Sequence, residues 1–517
     1  MNPQLEAAFS RLPDYLAWHV LLSASALALG LIISLPLAVA AARHPRVRWP
    51  VLAGASLIQT IPGLALLALF FPLLLVISNL SEDLFGRGFS ALGFLPALLA
   101  LTLYSMLPIV RNAATGILSV DPAVIQAAKG VGMTPRQQLF QVELPLAAPV
   151  IMAGVRTAAV WTIGTATLAT PVGQTSLGNY IFSGLQTENW VLVLFGCAAS
   201  AALALITDQL LGLIEAGAAR RDLRRIGAGA AGLLAGVALA LTPLISFGQP
   251  ASYVVGAKNF SEQYILAELI SERIEALGGE ATAREDLGSA IAYRALASGE
   301  LDVYVDYSGT LWANVLNRTD NPGRQAVLET LTTELAERDG VLVLGSLGFE
   351  NAYALAMPRA RAQALGIRTL EDLAVRAPDL TMGGDIEFFA RPEWRSVADA
   401  YGLRFKSRRT FQPTFMFRAA RTGEVDVISA FSSDGRIAAD DLVLLEDPKG
   451  ALPPYDAVVL ISPERAEDAR LLAAVRPLIG AIDVGAMQAA NLSVDRDVDK
   501  LRPDQAARDL ARAAGLE

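Results

Sequence analysis

Cysteine occurs once in 517 residues, at Cys197, and histidine twice, at His19 and His44. A lone cysteine excludes any intrachain disulfide, so burial and hydrogen bonding alone must hold each part of the chain. Two histidines, set apart and flanked by apolar or basic residues, support neither a His-based metal site nor a Ser-His-Asp triad. The phosphate-cradling pattern G-x-x-x-x-G-K-[ST] is absent, so the chain is not itself a P-loop ATPase. No internal repeat of about 20–50 residues is present. Charged residues are few, at 18%, and unevenly spread: 13 Lys and Arg stand against 10 Asp and Glu up to Ala251, and 29 against 41 beyond it. A charge-poor, basic first half and an acidic second half long enough for its own core argue for two domains.

Uncharged runs dominate the first half: Val20 to Ala42, Val51 to Ser81, Gly88 to Val110, Leu144 to Val155 continuing past Arg156, Asn189 to Thr207 and Ile226 to Ala257. A crossing takes about 20 apolar residues, so six transmembrane helices are predicted. The first run lacks a small-residue cleavage signature and reads as a retained span. Cations mark alternate connections: Arg43, Arg46 and Arg48 the first, Arg111, Lys129 and Arg136 the third, Arg220, Arg221, Arg224 and Arg225 the fifth. These loops are expected to be cytoplasmic, with the N-terminus and the C-terminal half external. Gly227 to Gly232 spells G-x-G-x-x-G, but it follows two arginines and opens an apolar run. Together with the Gly232/Gly236 spacing it predicts close helix packing and not a dinucleotide site. Arg156, the sole charge well inside a run, either snorkels to the interface or faces the bundle interior.

Between the third and fourth runs stand Gln126-Ala127-Ala128, Gly132 and Val142-Glu143-Leu144-Pro145. Asp121-Pro122 is a helix start, two alanines keep one face slim, and Gly130 and Gly132 permit a sharp turn. The spacing Q-A-A-x3-G-x9-V-x-L-P resembles the coupling loop of ATP-binding-cassette importer permeases, in which a short cytoplasmic helix docks into a separate ATPase. The resemblance implies coupling roles for Gln126, Ala127, Ala128, Gly132, Leu144 and Pro145. Gln126 stands where the family usually has Glu, which keeps the length and drops a charge. Residues 20 to 215, with Gly164 to Gly173 and Leu177 to Gly184 after the loop, look like the permease of glycine betaine, choline and carnitine importers.

After Pro250 short β runs alternate with amphipathic helices. Strands are predicted at Tyr253 to Gly256, Leu301 to Tyr307, Val341 to Leu344, Leu380 to Met382, Val425 to Ser429 and Val458 to Ile461, with a helix over Gln263 to Leu277 capped by Ser261. Such alternation suits a two-lobed α/β domain that closes on a ligand. Lys258 to Leu266, Asp302 to Thr310, Glu350 to Leu355, Ser433 to Ile437 and Pro453-Pro454-Tyr455 are similar, in family order, to motifs of osmoprotectant-binding proteins of type II fold. The fold expected is thus multi-domain: a polytopic α-helical permease domain over 1–247, with its coupling loop at 121–145, a linker at 248–252, and a type II periplasmic-binding-protein-like domain over 253–517. Lobe I is expected at about 253–353 and 456–517 and lobe II at about 354–455.

The resemblance implies a quaternary-ammonium ligand. A trimethylammonium group has no N–H to donate and is held by the negative faces of aromatic rings. Carried over by position, that cage is Tyr307, Tyr353, Phe431 and Tyr455, with Phe431 in place of the commoner Tyr. Gln263 and Thr310 match positions at the ligand's other end. A carboxylate at 310 would favour choline, so Thr310 leans toward a zwitterion such as glycine betaine. Gly384 to Phe389 and Trp394 depart from the best-known binders and keep trimethylated histidine derivatives such as ergothioneine open. Asp434-Gly435-Arg436 reads equally as a turn with a structural ion pair. The expected whole is a bacterial cytoplasmic-membrane importer subunit, not an enzyme. It binds no cofactor or metal, and its partners are an ABC ATPase that uses the ATP, a second copy of this chain, and lipid, with no nucleic acid. A membrane-anchored solute sensor is the competing class, which the coupling loop disfavours.

Overall fold

A computed structural model describes residues 3–85, 89, 93–187, 189–245, 253–318, 320–385, 388–389, 392–411, 413–496 and 499–516. The expected linker, 248–252, lies outside the described residues. The chain divides into two compact units near residue 248.

The first unit is all-helical. Helices α1 (Pro3–Arg43), α2 (Pro45–Thr60), α3 (Gly63–Phe85) and α4 (Phe94–Leu118) lead to the short α5 (Pro122–Gly130) and α6 (Pro135–Gln137). A π turn at Gln138–Glu143 continues into α7 (Leu144–Ala166), followed by α8 (Gly178–Gln186), α9 (Trp190–Arg220) and α10 (Leu223–Ala240). Among the described residues, five helical stretches are long and apolar enough to cross a membrane, and a sixth exists if α2 and α3 count as one broken span. That second run, predicted as one helix, bends by 103°. Pro62 disfavours helical geometry at Ile61, whose ψ of 127° is extended. Within the sixth uncharged run the helix ends at Ala240, and the strand expected at Tyr253 begins there.

Small residues let these helices approach. A Cβ on Gly154 of α7 would fall 2.6 Å from Asn112 Cβ and 2.7 Å from the Pro108 carbonyl on α4. On α10, Gly229 and Gly232 lie against Leu210 and Ile214 of α9, as their place in an apolar run predicts, whereas Gly236 meets nothing within 4 Å. Of the two expectations for Arg156, the structure supports a place inside the bundle. Its guanidinium bonds Asp208 through two nitrogens, at 2.8 and 2.9 Å, and Glu215 at 2.7 Å. The fifth run was read as ending at Thr207; because α9 continues to Arg220, both carboxylates ride on it and meet Arg156 across the α7–α9 interface.

The second unit holds two five-stranded sheets. One has the order β2-β1-β3-β10-β4, from β1 (Tyr253–Lys258), β2 (Ala281–Leu287), β3 (Val303–Tyr307), β4 (Leu342–Glu350) and β10 (Asp456–Ile461). The other has the order β7-β6-β8-β5-β9, from β5 (Tyr353–Pro358), β6 (Thr381–Gly384), β7 (Ser407–Thr410), β8 (Val427–Phe431) and β9 (Leu442–Leu444). In each sheet three strands run parallel and the remaining pairings are antiparallel. The chain passes from the first sheet to the second after Glu350 and returns before Asp456, which gives two lobes joined by two crossings. The first lobe's main helix is Ser261–Ala276, buried around its first two turns and not only along the face of Ile265, Leu266, Leu269, Ile270 and Ile274. Ser261 is its first residue and not its cap; Phe260 holds that position, and the Ser261 hydroxyl donates to Asp495.

Candidate functional site

A cavity of about 410 Å³ opens in the second unit, walled by strand ends from both sheets. Tyr307 closes β3, Tyr353 opens β5, Phe431 closes β8 and Tyr455 immediately precedes β10. All four line the cavity, as does Thr310. The register explains one pair, because Tyr353 and Phe431 are direct antiparallel partners. Their ring centroids are 4.6 Å apart, too close to admit a trimethylammonium group between them, so they present one joint wall. Tyr455 meets Tyr353 edge to face at 5.7 Å and 84°. Tyr307 has a different neighbour, stacking with Phe260 at 6.0 Å, and the Lys258 ammonium lies 5.0 Å from its ring centroid.

Gln263 is not in the wall. It is buried behind Tyr307, donating from Nε2 to the Tyr307 hydroxyl at 3.1 Å and accepting the Lys258 backbone N–H at 3.2 Å. The first turns of its helix turn Glu262 toward the cavity and Gln263 away from it. Glu262 went unremarked in the sequence because a Glu in a first helical turn ordinarily faces water. Here it is buried in the wall and accepts the Tyr307 hydroxyl, Asn351 Nδ2 at 3.2 Å and Asn491 Nδ2 at 2.9 Å. Burial raises its pKa, and the hydrogen bonds from Ser433, Tyr307, Asn491 and Asn351 oppose that rise. Tyr307 is in turn pushed well above its usual value by burial and by the adjacent Glu262.

Asn351 precedes the first crossing's second sheet, Ser433 follows β8, and Asn491 belongs to the helix Val484–Asp495, so the Glu262 carboxylate ties both lobes together. A second polar group stands nearby. Asp434 and Arg436 form the ion pair expected of a turn, at 2.8 Å, but both line the cavity, with the guanidinium 4.1 Å over Phe417. Asp495 lies beside them with its pKa raised to about 6, chiefly by burial and partly countered by Arg436. Lys258 is neutralised by a buried ion pair with Asp306. With Asp385 also in the wall, carboxylates outnumber cations there, a field suited to a cationic group.

Of the remaining departure, Ile386 and Glu387 lie outside the described residues, and Phe388 and Trp394 back the wall. Phe388 packs on Tyr353 at 5.3 Å and Trp394 on Phe388 at 5.7 Å. Glu393, buried at the start of the helix Pro392–Tyr401, accepts the Tyr455 hydroxyl. Gly309 supplies the floor under Tyr455: a Cβ there would lie 2.6 to 2.8 Å from three ring atoms.

The motif in the first unit forms a small exposed knob. Asp121 caps α5 by accepting the Ala123 N–H at 2.8 Å. Gln126 and Ala127 are exposed on α5 and Ala128 is buried. Gly132, at φ +79°, ends the turn, with N–H bonds from Gly132 to Lys129 and from Met133 to Ala128. Gly130 needs no such conformation. Val131 and Phe140 stay exposed beside it. Leu144 is half-buried and Pro145 exposed at the start of α7. Between them and the knob, the buried Glu143 carboxylate receives Arg43 from the end of α1 at 2.8 and 2.9 Å.

Residues 251–513 match the family described as the substrate binding domain of ABC-type glycine betaine transport system. Residues 30–220 match the binding-protein-dependent transport system inner membrane component. The ergothioneine transport permease/ergothioneine binding protein EgtU of Helicobacter pylori is 31% identical over 487 residues, covering 89% of this chain and 83% of its own. The choline transport system permease OpuBB of Bacillus subtilis is 40% identical over 197 residues, 38% of this chain and 83% of its own. The osmoprotectant import permease OsmW of Salmonella typhimurium is 40% identical over 193 residues, 37% of this chain and 85% of its own.

Proposed function

Because the chain belongs to the ABC-importer family in which a multi-pass inner-membrane permease is fused to a glycine betaine-type substrate-binding domain, we propose that its second unit captures a trimethylammonium zwitterion. The solute then crosses the membrane through a pathway built from two copies of the first unit. The observation that carries the ligand class is the cavity itself, where Tyr307, Tyr353, Phe431 and Tyr455 share a wall with Glu262, Asp385 and Asp495. Ring faces attract a cation that cannot donate hydrogen bonds, and the excess of carboxylates favours the same charge. The knob at α5 docks a separate ATPase, which uses the ATP, and this chain binds neither nucleotide nor metal. The excess of arginines at the first, third and fifth connections supports a cytoplasmic knob and an external binding unit. Six spans form half of a two-fold pathway, hence the second copy.

Within that class, Thr310 supports glycine betaine, a compact zwitterion. A second reading, an ergothioneine-type betaine, is favoured by the relative whose similarity spans both halves. Calorimetric titration of the full chain in nanodiscs with glycine betaine, choline, carnitine and ergothioneine separates these. Binding of none of them, or wild-type affinity in both Tyr307→Ala and Tyr353→Ala, refutes the aromatic site.

A further inference from the structure

The knob joins α7 through the π turn Gln138–Glu143 and not through regular helix. Pro145 accounts for it: the residue has no N–H for the Gln141 carbonyl, and its ring would crowd that oxygen, so the chain widens one turn earlier. A π turn is a place where a helix bends, so force on the knob is taken up there before it reaches α7. Two side-chain contacts bridge this compliant turn. At its first residue, the buried Gln138 donates from Nε2 to the Met133 carbonyl at 2.9 Å, which fixes the turn to the end of the knob. At its last, the Glu143 carboxylate, with only 6% of the side chain exposed, accepts two hydrogen bonds from a single nitrogen of Arg43, Nη2, at 2.8 and 2.9 Å.

Arg43 is the last residue of α1, and that helix end is itself held firmly. Arg48 donates to its final carbonyls, to Ala41 from Nε at 3.1 Å and to Ala42 from Nη2 at 3.4 Å, while Ala38 and Ala41 pack its last turns onto α4. A carboxylate withdrawn from water is costly without its cation, so displacement of the turn pulls on α1 instead of sliding past it. We propose that the Arg43–Glu143 pair is a positioning contact that carries movement of the ATPase-docked knob into α1 and so couples ATP hydrolysis to the transport pathway. The inference rests on the docking role proposed above for the knob. It adds to the transmission a helix, α1, that the chain itself joins to the knob only through α2, α3 and α4.

The test uses the full chain reconstituted in liposomes with its partner ATPase, with glycine betaine as the probe, or ergothioneine if wild type answers only to that. Glu143→Gln and Arg43→Gln each remove one charge; the double variant removes both and leaves neither unpaired. In the double variant, solute-stimulated ATP hydrolysis should fall about fivefold or more, while the dissociation constants for the ATPase and for the solute stay within about twofold of wild type. Each single variant should lose stimulation too, and the two losses should not add, as for two halves of one contact. Because one nitrogen makes both bonds, Arg43→Lys keeps an ammonium for the carboxylate and should retain about half of the stimulation or more. Wild-type stimulation in the double variant overturns the proposal. ATPase binding weakened in proportion to the lost stimulation also overturns it, since the pair then only shapes the knob, and so do equal losses in Arg43→Lys and Arg43→Gln. Where a single variant fails to fold, the double variant and Arg43→Lys decide. Failure of the wild-type chain to bind the ATPase, or hydrolysis that answers to neither solute, refutes the function proposed above, an outcome distinct from failure of the Arg43–Glu143 inference.

Discussion

Gly309→Ala is the smallest perturbation that reaches the aromatic wall. The backbone at 309 is not left-handed, so alanine is tolerated there and even gains about 0.5–1 kcal/mol through a less flexible unfolded chain. What opposes it is space. The new Cβ would lie 2.6, 2.7 and 2.8 Å from Cζ, Cε2 and Cε1 of Tyr455, whereas carbons rest at about 3.5–4.0 Å. The ring must therefore withdraw by about 1 Å. Tethered to Glu393 and set against Tyr353 at 5.7 Å, it can withdraw only by breaking those contacts and entering the cavity. Overpacking of this kind costs about 1–3 kcal/mol, which leaves a net destabilisation of about 0–2.5 kcal/mol. Loss of the ring's position should weaken the trimethylammonium ligand by about tenfold or more. Thermal unfolding and calorimetric titration of the full chain measure both. The decisive control is Tyr455→Leu, which removes the ring: in that background Gly309→Ala should cost nothing further in stability. Wild-type unfolding and affinity for the single Gly309→Ala variant would refute the packing on which this reasoning stands.

Asp495 predicts a pH dependence of stability. Its folded-state pKa is raised to about 6 by burial, above the unfolded value. The folded form therefore holds the proton more tightly, and stability falls as pH rises from about 4 to about 6. Asp495→Asn should flatten that window and raise the unfolding temperature at pH 7; an unchanged profile contradicts it. Gly132→Val places a β-branched residue at φ +79°, at a cost of about 1–2 kcal/mol, and should break the link between ligand and ATP hydrolysis while ligand titration is unaffected. Normal ligand-stimulated ATPase activity with the partner would remove the coupling role of this turn. Arg156→Met leaves Asp208 and Glu215 unpaired on α9. These side chains are only partly buried, so the expected loss is about 1–3 kcal/mol, read as lower folded yield by size-exclusion chromatography and recovered in Arg156→Met/Asp208→Asn/Glu215→Gln. A triple variant no better than the single one argues against the ion cluster as the cause.

The parts legible in the sequence were those where one physical constraint acts alone. Lipid demands unbroken apolar runs, and five of the six were visible as such; the second hid its break because a single Pro62 bends a run without changing its hydropathy. Strands buried on both faces, β3 and β10, announced themselves by Val and Ile. The edge strand β7, Ser407–Thr410, is exposed throughout and carries no alternation to read. β5 ends in Pro358, a residue disfavoured in strands, and its pairing with β8 is set by partners about 75 residues away in sequence. For Arg156 the sequence leaves snorkelling and a place inside the bundle open for a similar reason: its partners are on another helix, and only the length of α9 brings them in.

The same distinction explains the site. Tyr307, Tyr353, Phe431 and Tyr455 sit at strand ends flanking the crossings between lobes, where a side chain faces the gap and not a core, so short local motifs carry them. Glu262 acts on those rings from the wall itself and Glu393 and Gly309 from behind it; Glu262 and Gly309 stand inside the motifs Lys258 to Leu266 and Asp302 to Thr310, but their own residue types do not mark them as partners of the rings. Each is ordinary by composition: an acid in a first helical turn, another of the same kind, and a glycine after a serine. Only the fold sets Glu393 against a tyrosine 62 residues further on. The consequence is that variants of the four rings test whether the ligand is a quaternary ammonium, whereas a variant behind them such as Gly309→Ala tests how firmly those rings are held in place.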